Sequence, residues 1–229
     1  MRLSSWTAGL LLVFILAPLA SAQIPPSTGE VQSFRGLHAA AANNDAGEIE
    51  KLVKAGAKID ARDAHARTPL HVAVFLSKQD AARTLMRLGA DANALDAQNY
   101  DIVTIAAVLD DLPMLKVALA GGCRATNITS PYHGTALIAA AHLGHDEIVR
   151  TLVNARAPLD HVNNLGWTAV IESIVLGDGG KRHIATLKAL IDAGADINLA
   201  DRSGDTPLVL AKRRGYADMA AMLTAAGAQ

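Results

Sequence analysis

One spacing governs this chain. From Phe34 onward a pattern recurs: an apolar residue opens a short Ala-rich segment, a turn and a second amphipathic segment follow, and the unit closes on Gly-Ala or a relative of it. Leu37 goes with Gly56-Ala57, Leu70 with Gly89-Ala90, Val103 with Gly122-Cys123, Leu137 with Arg156-Ala157, and Leu208 with Gly227-Ala228, each at 19 residues. Val170 goes with Gly194-Ala195 at 24. The openings step by 33, 33, 34, 33 and 38 residues. A fixed period of this kind marks a stack of small units in which each touches its neighbours. No single unit holds enough apolar surface for a core of its own, so stacking must bury the shared face. In 229 residues there is room for a short array and little else.

Local signals agree. Hydrophobic residues make up 51 % of the chain but aromatics only 3 %. Alanine and leucine carry the apolar content, which suits closely stacked helices better than strands, whose positions favour β-branched and aromatic residues. Thr68 is placed to cap a first turn, and Pro69 sits where its missing N–H does no harm. Ile49, Leu52 and Val53 share one helical stripe, as do Ile148, Leu152 and Val153. Gly56, Gly89 and Gly194 stand just past the second helical pattern, where positive φ is common. Arg156 in the same place either strains that helix end or abandons the positive φ.

Four segments carry a family resemblance. Thr68-Pro69-Leu70-His71 resembles the helix-start box of ankyrin repeats. Asp201-Arg202-Ser203-Gly204-Asp205-Thr206-Pro207-Leu208 resembles the turn plus that box, and Gly144-His145-Asp146-Glu147-Ile148-Val149 the centre of the unit. Gly194-Ala195-Asp196-Ile197-Asn198 resembles the unit end. The chain is thereby identified as similar to exported bacterial ankyrin-repeat proteins over residues 34–229. The resemblance implies an all-α solenoid of about six helix-turn-helix units with short β-hairpin fingers, at residues 34–62, 63–95, 96–126, 127–162, 163–200 and 201–229. It also implies a non-enzymatic scaffold that binds another protein through a concave groove lined by fingers and first helices. Two units depart from the box, with Asp101-Ile102-Val103 and Thr168-Ala169-Val170. Lys212, Arg213 and Arg214 are expected to form the polar cap of the last unit.

The beginning of the chain reads as a targeting signal. Arg2 supplies a positive n-region, Ala8 to Leu19 an apolar h-region, and Ala20-Ser21-Ala22 an A-x-A cleavage site, placing the mature start at Gln23. An uncleaved anchor is the competing reading, although the apolar run is short for a bilayer span. Residues 23–33, with Pro25, Pro26 and Gly29, read as a flexible leader. Removing residues 1–22 takes one charge, Arg2, and leaves 20 basic against 22 acidic residues. That balance offers no electrostatic reason to expect nucleic acid or an anionic membrane as partner. Cys123 is the only cysteine, so no intramolecular disulfide forms and stability must come from packing. These features point to a periplasmic monomer without a stable membrane anchor after cleavage, or alternatively to a secreted protein.

Catalytic and metal signatures are not found. No nucleophile elbow, dinucleotide fingerprint or H-E-x-x-H spacing occurs, so no cofactor or metal is expected. His38 and His71 hold the box position and are assigned hydrogen bonds within the turn network. Cys123 reads as a small buried hydrophobe. Gly177-Asp178-Gly179-Gly180 lacks the Lys-Ser/Thr of a phosphate loop and reads as a longer turn that takes up the five extra residues of the fifth unit. For partner binding, the candidates are Trp167, with Tyr100 and Arg67 in the same register three residues before the openings Val170, Val103 and Leu70. His133, preceded by Tyr132, lies one residue from that slot. Aromatics and arginine are favoured interface anchors. Trp167, Tyr100 and Arg67 are expected to share an exposed face, with packing on a neighbouring finger as the competing reading for Trp167. Glu172 is expected to meet water or a partner, since burying it unpaired is costly. Asp178 and Arg182 would extend the surface to the far rim.

Overall fold

The structure is a computed structural model that describes residues 23–229; the expected targeting segment, residues 1–22, lies outside them. A short helix α1 (Thr28–Ser33) precedes six helical pairs. The first helices are α2 (Gly36–Ala42), α4 (Pro69–Phe75), α6 (Ile102–Val108), α8 (Ala136–His142), α10 (Ala169–Val175) and α12 (Pro207–Arg214). Their partners are α3 (Ala46–Lys54), α5 (Gln79–Arg87), α7 (Leu112–Ala120), α9 (Asp146–Asn154), α11 (Lys181–Asp192) and α13 (Ala217–Ala225).

Capping residues set where the first helices begin. Thr68, Asp101, Thr135, Thr168 and Thr206 all hold extended backbone angles and accept a hydrogen bond from the amide three residues on. Asp101 therefore does the work of the box threonine, and the departure in the third unit leaves its cap intact. Second helices end on a residue with positive φ, a glycine in five units. Arg156 keeps that conformation in the fourth, at φ 62°. This resolves the alternative: the side chain tolerates the left-handed angle, which costs an L-residue about 1 kcal/mol.

Burial follows the repeat. The openings Leu37, Leu70, Val103, Leu137, Val170 and Leu208 are all buried, and one continuous apolar cluster runs from Leu37 to Leu223. On the second helices Ile49, Ala82, Leu115, Val149 and Leu187 stand in register at full burial, seven residues before the closing position. Thr186 stands one residue earlier, in register with the buried Ala81, Met114, Ile148 and Met219, and its hydroxyl has no partner. Lys212, Arg213 and Arg214 are exposed on the last turn of α12, and Arg213 pairs with Asp205.

Three expectations are corrected. The fingers are hydrogen-bonded turns rather than β-hairpins: among the described residues the only bridge is Thr129 with Gly134. The five extra residues of the fifth unit are shared between turn and helix. Three residues separate α8 from α9 but five separate α10 from α11, and α11 has 12 residues where α9 has nine. The leader is ordered. Ser27 and Glu30 form a reciprocal capping box that starts α1, and the segment is tied to later repeats. Composition pointed to flexibility, but the S-x-x-E pattern at residues 27–30 signals a helix start.

Candidate functional site

Each finger is built around one side-chain oxygen. Asp63 Oδ1 accepts from the amides of His65 and Arg67, both at 2.9 Å. Asp96 Oδ1 does the same for Gln98 and Tyr100, at 2.8 and 2.9 Å. Asn163 Oδ1 binds the amides of Leu165 and Trp167, both at 3.0 Å. Ser130 Oγ takes this place in the longer fourth finger, and Asp201 in the sixth. Short polar side chains that bond their own backbone two and four residues on are suited to such turns. The fingers are also bonded to one another: Ala97 N–H to His65 O, Ser130 N–H to Asn99 O, and Asn164 N–H to Tyr132 O. Arg67, Tyr100 and Trp167 thus occupy equivalent corners of a connected row.

Equivalent corners do not have equivalent exposure. Trp167 is half-buried, with part of its ring packed on the core. Tyr132 is half-buried and His133 exposed, its carbonyl accepting from His161 Nε2 at 2.7 Å. Arg67 and Tyr100, expected in the open, are 1 % and 6 % exposed. The guanidinium of Arg67 donates to Asp63 Oδ2 at 2.7 Å, to Glu30 of α1, and to the Ile24 carbonyl at 3.3 Å. The N-terminal arm supplies two of these acceptors, and register alone could not reveal it. Tyr100 is packed in the apolar core cluster, and its phenol is pushed above its ordinary pKa by burial.

Glu172 requires a second correction. It is 5 % exposed and faces neither water nor an open groove. Asn163 Nδ2 donates to its Oε1 at 2.7 Å, and His142 Nδ1 lies 3.2 Å from Oε2. The argument that an unpaired buried carboxylate is costly was sound, and pairing inside the protein satisfies it. It also accounts for asparagine at 163, where the second, third and sixth fingers have aspartate. A carboxylate there would bring a second negative charge against Glu172, whereas the amide keeps the finger bonds and adds a donor.

The far rim is a clamp. Arg182 Nη2 donates to Asp110 at 2.9 Å and its Nε lies 3.5 Å from Asp146, so α11 reaches back to the third and fourth repeats. These carboxylates raise the Arg182 pKa. Asp178 accepts from the Gly180 amide and from His183 Nδ1, which together hold its carboxyl below the ordinary range. His183 Nε2 meets the His142 carbonyl at 3.0 Å, and the Tyr216 hydroxyl donates to the Gly177 carbonyl at 2.8 Å. Gly177 has no room for a side chain, since a Cβ would stand 2.1 Å from the Ser173 carbonyl. The rim and the finger of the fifth repeat are separated by α10, whose seven residues span about 10 Å. Trp167 and the rim residues Asp178 and Arg182 therefore lie at opposite ends of that helix.

The box histidines have structural partners: His71 Nε2 bonds the Tyr100 carbonyl at 3.2 Å and His38 Nε2 the Arg67 carbonyl at 3.0 Å. Each ties the start of a first helix to the next finger, and burial lowers the His71 pKa. Cys123 is buried and its thiol is pushed up to about 12, which suits a packing role. Among the described residues no group of three or more His, Cys, Asp or Glu is placed to hold a metal ion, and no helix is long and apolar enough to cross a membrane.

Three exposed apolar residues were not anticipated: Ile128, Val162 and Leu165, at 57, 50 and 38 % exposure. Ile128 and Val162 stand one residue before the polar residue that closes each finger, in register with Arg62 and Leu95, so the repeat alignment contained the signal. With Tyr132, His133 and Trp167 they form the open part of the finger row.

Comparison with known proteins gives one consistent result. The family described as ankyrin repeats (3 copies) matches residues 18–96 and 103–201, and that described as ankyrin repeats (many copies) matches residues 179–224. The ankyrin repeat protein YahD of Escherichia coli (strain K12) is 32 % identical over 190 residues, covering 82 % of this chain and 94 % of that protein. A solved ankyrin repeat domain from Acinetobacter baumannii AYE is 42 % identical with a TM-score of 0.79, covering 84 % of this chain and 98 % of that domain. The solved ankyrin repeat protein EF0377 is 29 % identical with a TM-score of 0.77, covering 82 % and 96 %. With the period, the caps and the stacked pairs already in place, these likenesses establish that the chain belongs to the ankyrin-repeat family.

Proposed function

We propose that this ankyrin-repeat protein is a periplasmic adaptor or protective binding protein that engages another exported protein through the open fingers of its fourth and fifth repeats. Ankyrin repeats indicate a scaffold for protein–protein interaction. The location rests on the A-x-A signal at residues 20–22. The observation that carries the surface is the juxtaposition of Trp167, Tyr132 and His133 with exposed Ile128, Val162 and Leu165 on one hydrogen-bonded row. Exposed apolar groups on adjacent fingers, with aromatics in the same row, have the composition of an interface core.

The experiment is a pull-down from periplasmic extract with the tagged mature chain, run beside Trp167→Ala and Val162→Asp. A partner retained by the wild type and lost with both variants supports the reading. A partner retained by both moves the contact off these fingers. Cell fractionation tests the compartment, and recovery of the protein in culture medium would instead favour a secreted effector or inhibitor using the same surface.

A further inference from the structure

The arm, residues 23–33, belongs to no repeat, yet it lies on the fingers of the second and third. Ile24 donates its amide to Gln98 Oε1 at 3.1 Å and offers its carbonyl to Arg67. Glu30 Oε1 accepts from Arg67, and His65 Nε2 lies 3.3 Å from the same oxygen. No residue of α1 is buried, and Val31 and Phe34 stand outside the apolar core cluster. Of residues 23–33 only Pro26 is buried, and the rest of the attachment is polar, the kind that opens locally without global unfolding. Its link to the stack passes through Gly36, in a left-handed conformation with open space around it.

Finger two beneath the arm has a definite chemistry. Within six residues it carries three basic residues, Arg62, His65 and Arg67, and one acid, Asp63; Arg62 is bonded to the Ala66 and Leu95 carbonyls, and Arg67 pairs with Asp63. Asp63 uses Oδ2 on Arg67 Nε, which leaves the two terminal nitrogens of the guanidinium for a carboxylate and a carbonyl. Arginine presents this pair of donors in a fixed geometry suited to carboxylate recognition.

We infer that finger two is a recognition site for an acidic peptide segment, and that the arm is its resident, displaceable occupant, with Glu30 holding the place of a partner's carboxylate on Arg67. This inference rests on the protein-binding reading of the fold. A partner segment would have to carry a glutamate near a helix start, as Ser27 to Glu30 does, and would compete with an intramolecular ligand whose effective concentration is of millimolar order. Engagement would then be weak until the arm is released, so the arm sets a threshold for binding at the N-terminal fingers.

The test uses a fluorescent synthetic peptide with the sequence of residues 23–35, and a second peptide with glutamine in place of its glutamate. Both are titrated into the mature chain, into Glu30→Gln and into Glu30→Gln with Arg67→Gln. The expected result is that Glu30→Gln binds the first peptide at least about tenfold more tightly than the wild type, and that the glutamine peptide loses about tenfold, the size of one charge-assisted hydrogen bond. The arm amides of Glu30→Gln should exchange with solvent at least about tenfold faster than in the wild type, with the amides of α5 unchanged. If Arg67→Gln melts early, the comparison of the two peptides on Glu30→Gln still decides the matter. Failure of the peptide to bind Glu30→Gln while exchange shows the arm released would overturn the inference. So would arm amides that exchange only with global unfolding. Neither peptide nor substitution touches Trp167, so failure here is distinguishable from loss of the partner on Trp167→Ala.

Discussion

The second and third fingers and the fourth and fifth are built on one plan and finished differently. In the first pair the corner residues Arg67 and Tyr100 are closed in, Arg67 bonded to the arm and Tyr100 packed in the apolar core cluster. In the second pair Tyr132, His133 and Trp167 remain at least partly open, beside Ile128, Val162 and Leu165. The difference teaches that a repeat aligns positions without equalising their surroundings. A corner is available to a partner only where nothing else in the chain already satisfies it.

The core beneath both regions is alike, and the largest expected effects fall there. Leu85→Ala and Leu152→Ala replace equivalent, fully buried residues of α5 and α9, and each should cost about 3 kcal/mol. Chemical denaturation should show a single transition for both variants. Two separated transitions would mean that the halves fold independently and that the comparison concerns two bodies. The corner residues sharpen it next. Tyr100→Ala should lower stability by about 2–3 kcal/mol as a buried aromatic, whereas Trp167→Ala should weaken partner binding by about 2 kcal/mol and change stability less. Melting and affinity measured on the same two proteins decide this. If Trp167→Ala mainly destabilises and leaves affinity intact, the tryptophan belongs to the fold and the open finger row loses its anchor.

A smaller effect separates the halves inside the core. Thr186 buries an unpartnered hydroxyl where Ala81, Met114, Ile148 and Met219 are apolar in other repeats. Thr186→Val keeps the shape and should stabilise by about 1 kcal/mol, read as a rise in melting temperature. No rise would mean that the hydroxyl is satisfied in solution.

The smallest effect concerns the arm and depends on pH. The Ser27 side chain and amide, with Arg67, lower the Glu30 carboxyl to about 2 from its ordinary 4.5. A depressed pKa means that the folded state prefers the carboxylate. Its contribution is present above the ordinary value and is lost as pH falls from about 4.5 towards about 2. Protection of the arm amides, relative to their intrinsic exchange rates at each pH, should therefore fall across that window ahead of the stack, and Glu30→Gln should flatten the response. Equal loss of protection in arm and stack would show that acid acts on the whole molecule and leaves the arm's own contacts undetected.

Much of this architecture was legible in the residues alone. The 33-residue step located six units, Thr68 and Thr206 marked helix starts, and the box histidines were read as structural because a buried ring needs partners. These are local properties: a cap, a stripe or a closing glycine acts within a turn or two of chain, and repetition confirms each reading several times over. Two fates depended on contacts between distant segments. Arg67 is closed in by a chain segment 37 residues before it, and Arg182 reaches an aspartate 72 residues away. Glu172 is satisfied through the exchange of aspartate for asparagine at 163, a compensation that has meaning only once finger and helix are side by side. The period determined which residues are equivalent. Which of them are exposed was decided by tertiary contacts, because burial and pairing depend on every segment that comes to lie against a side chain and register records only its place in the unit.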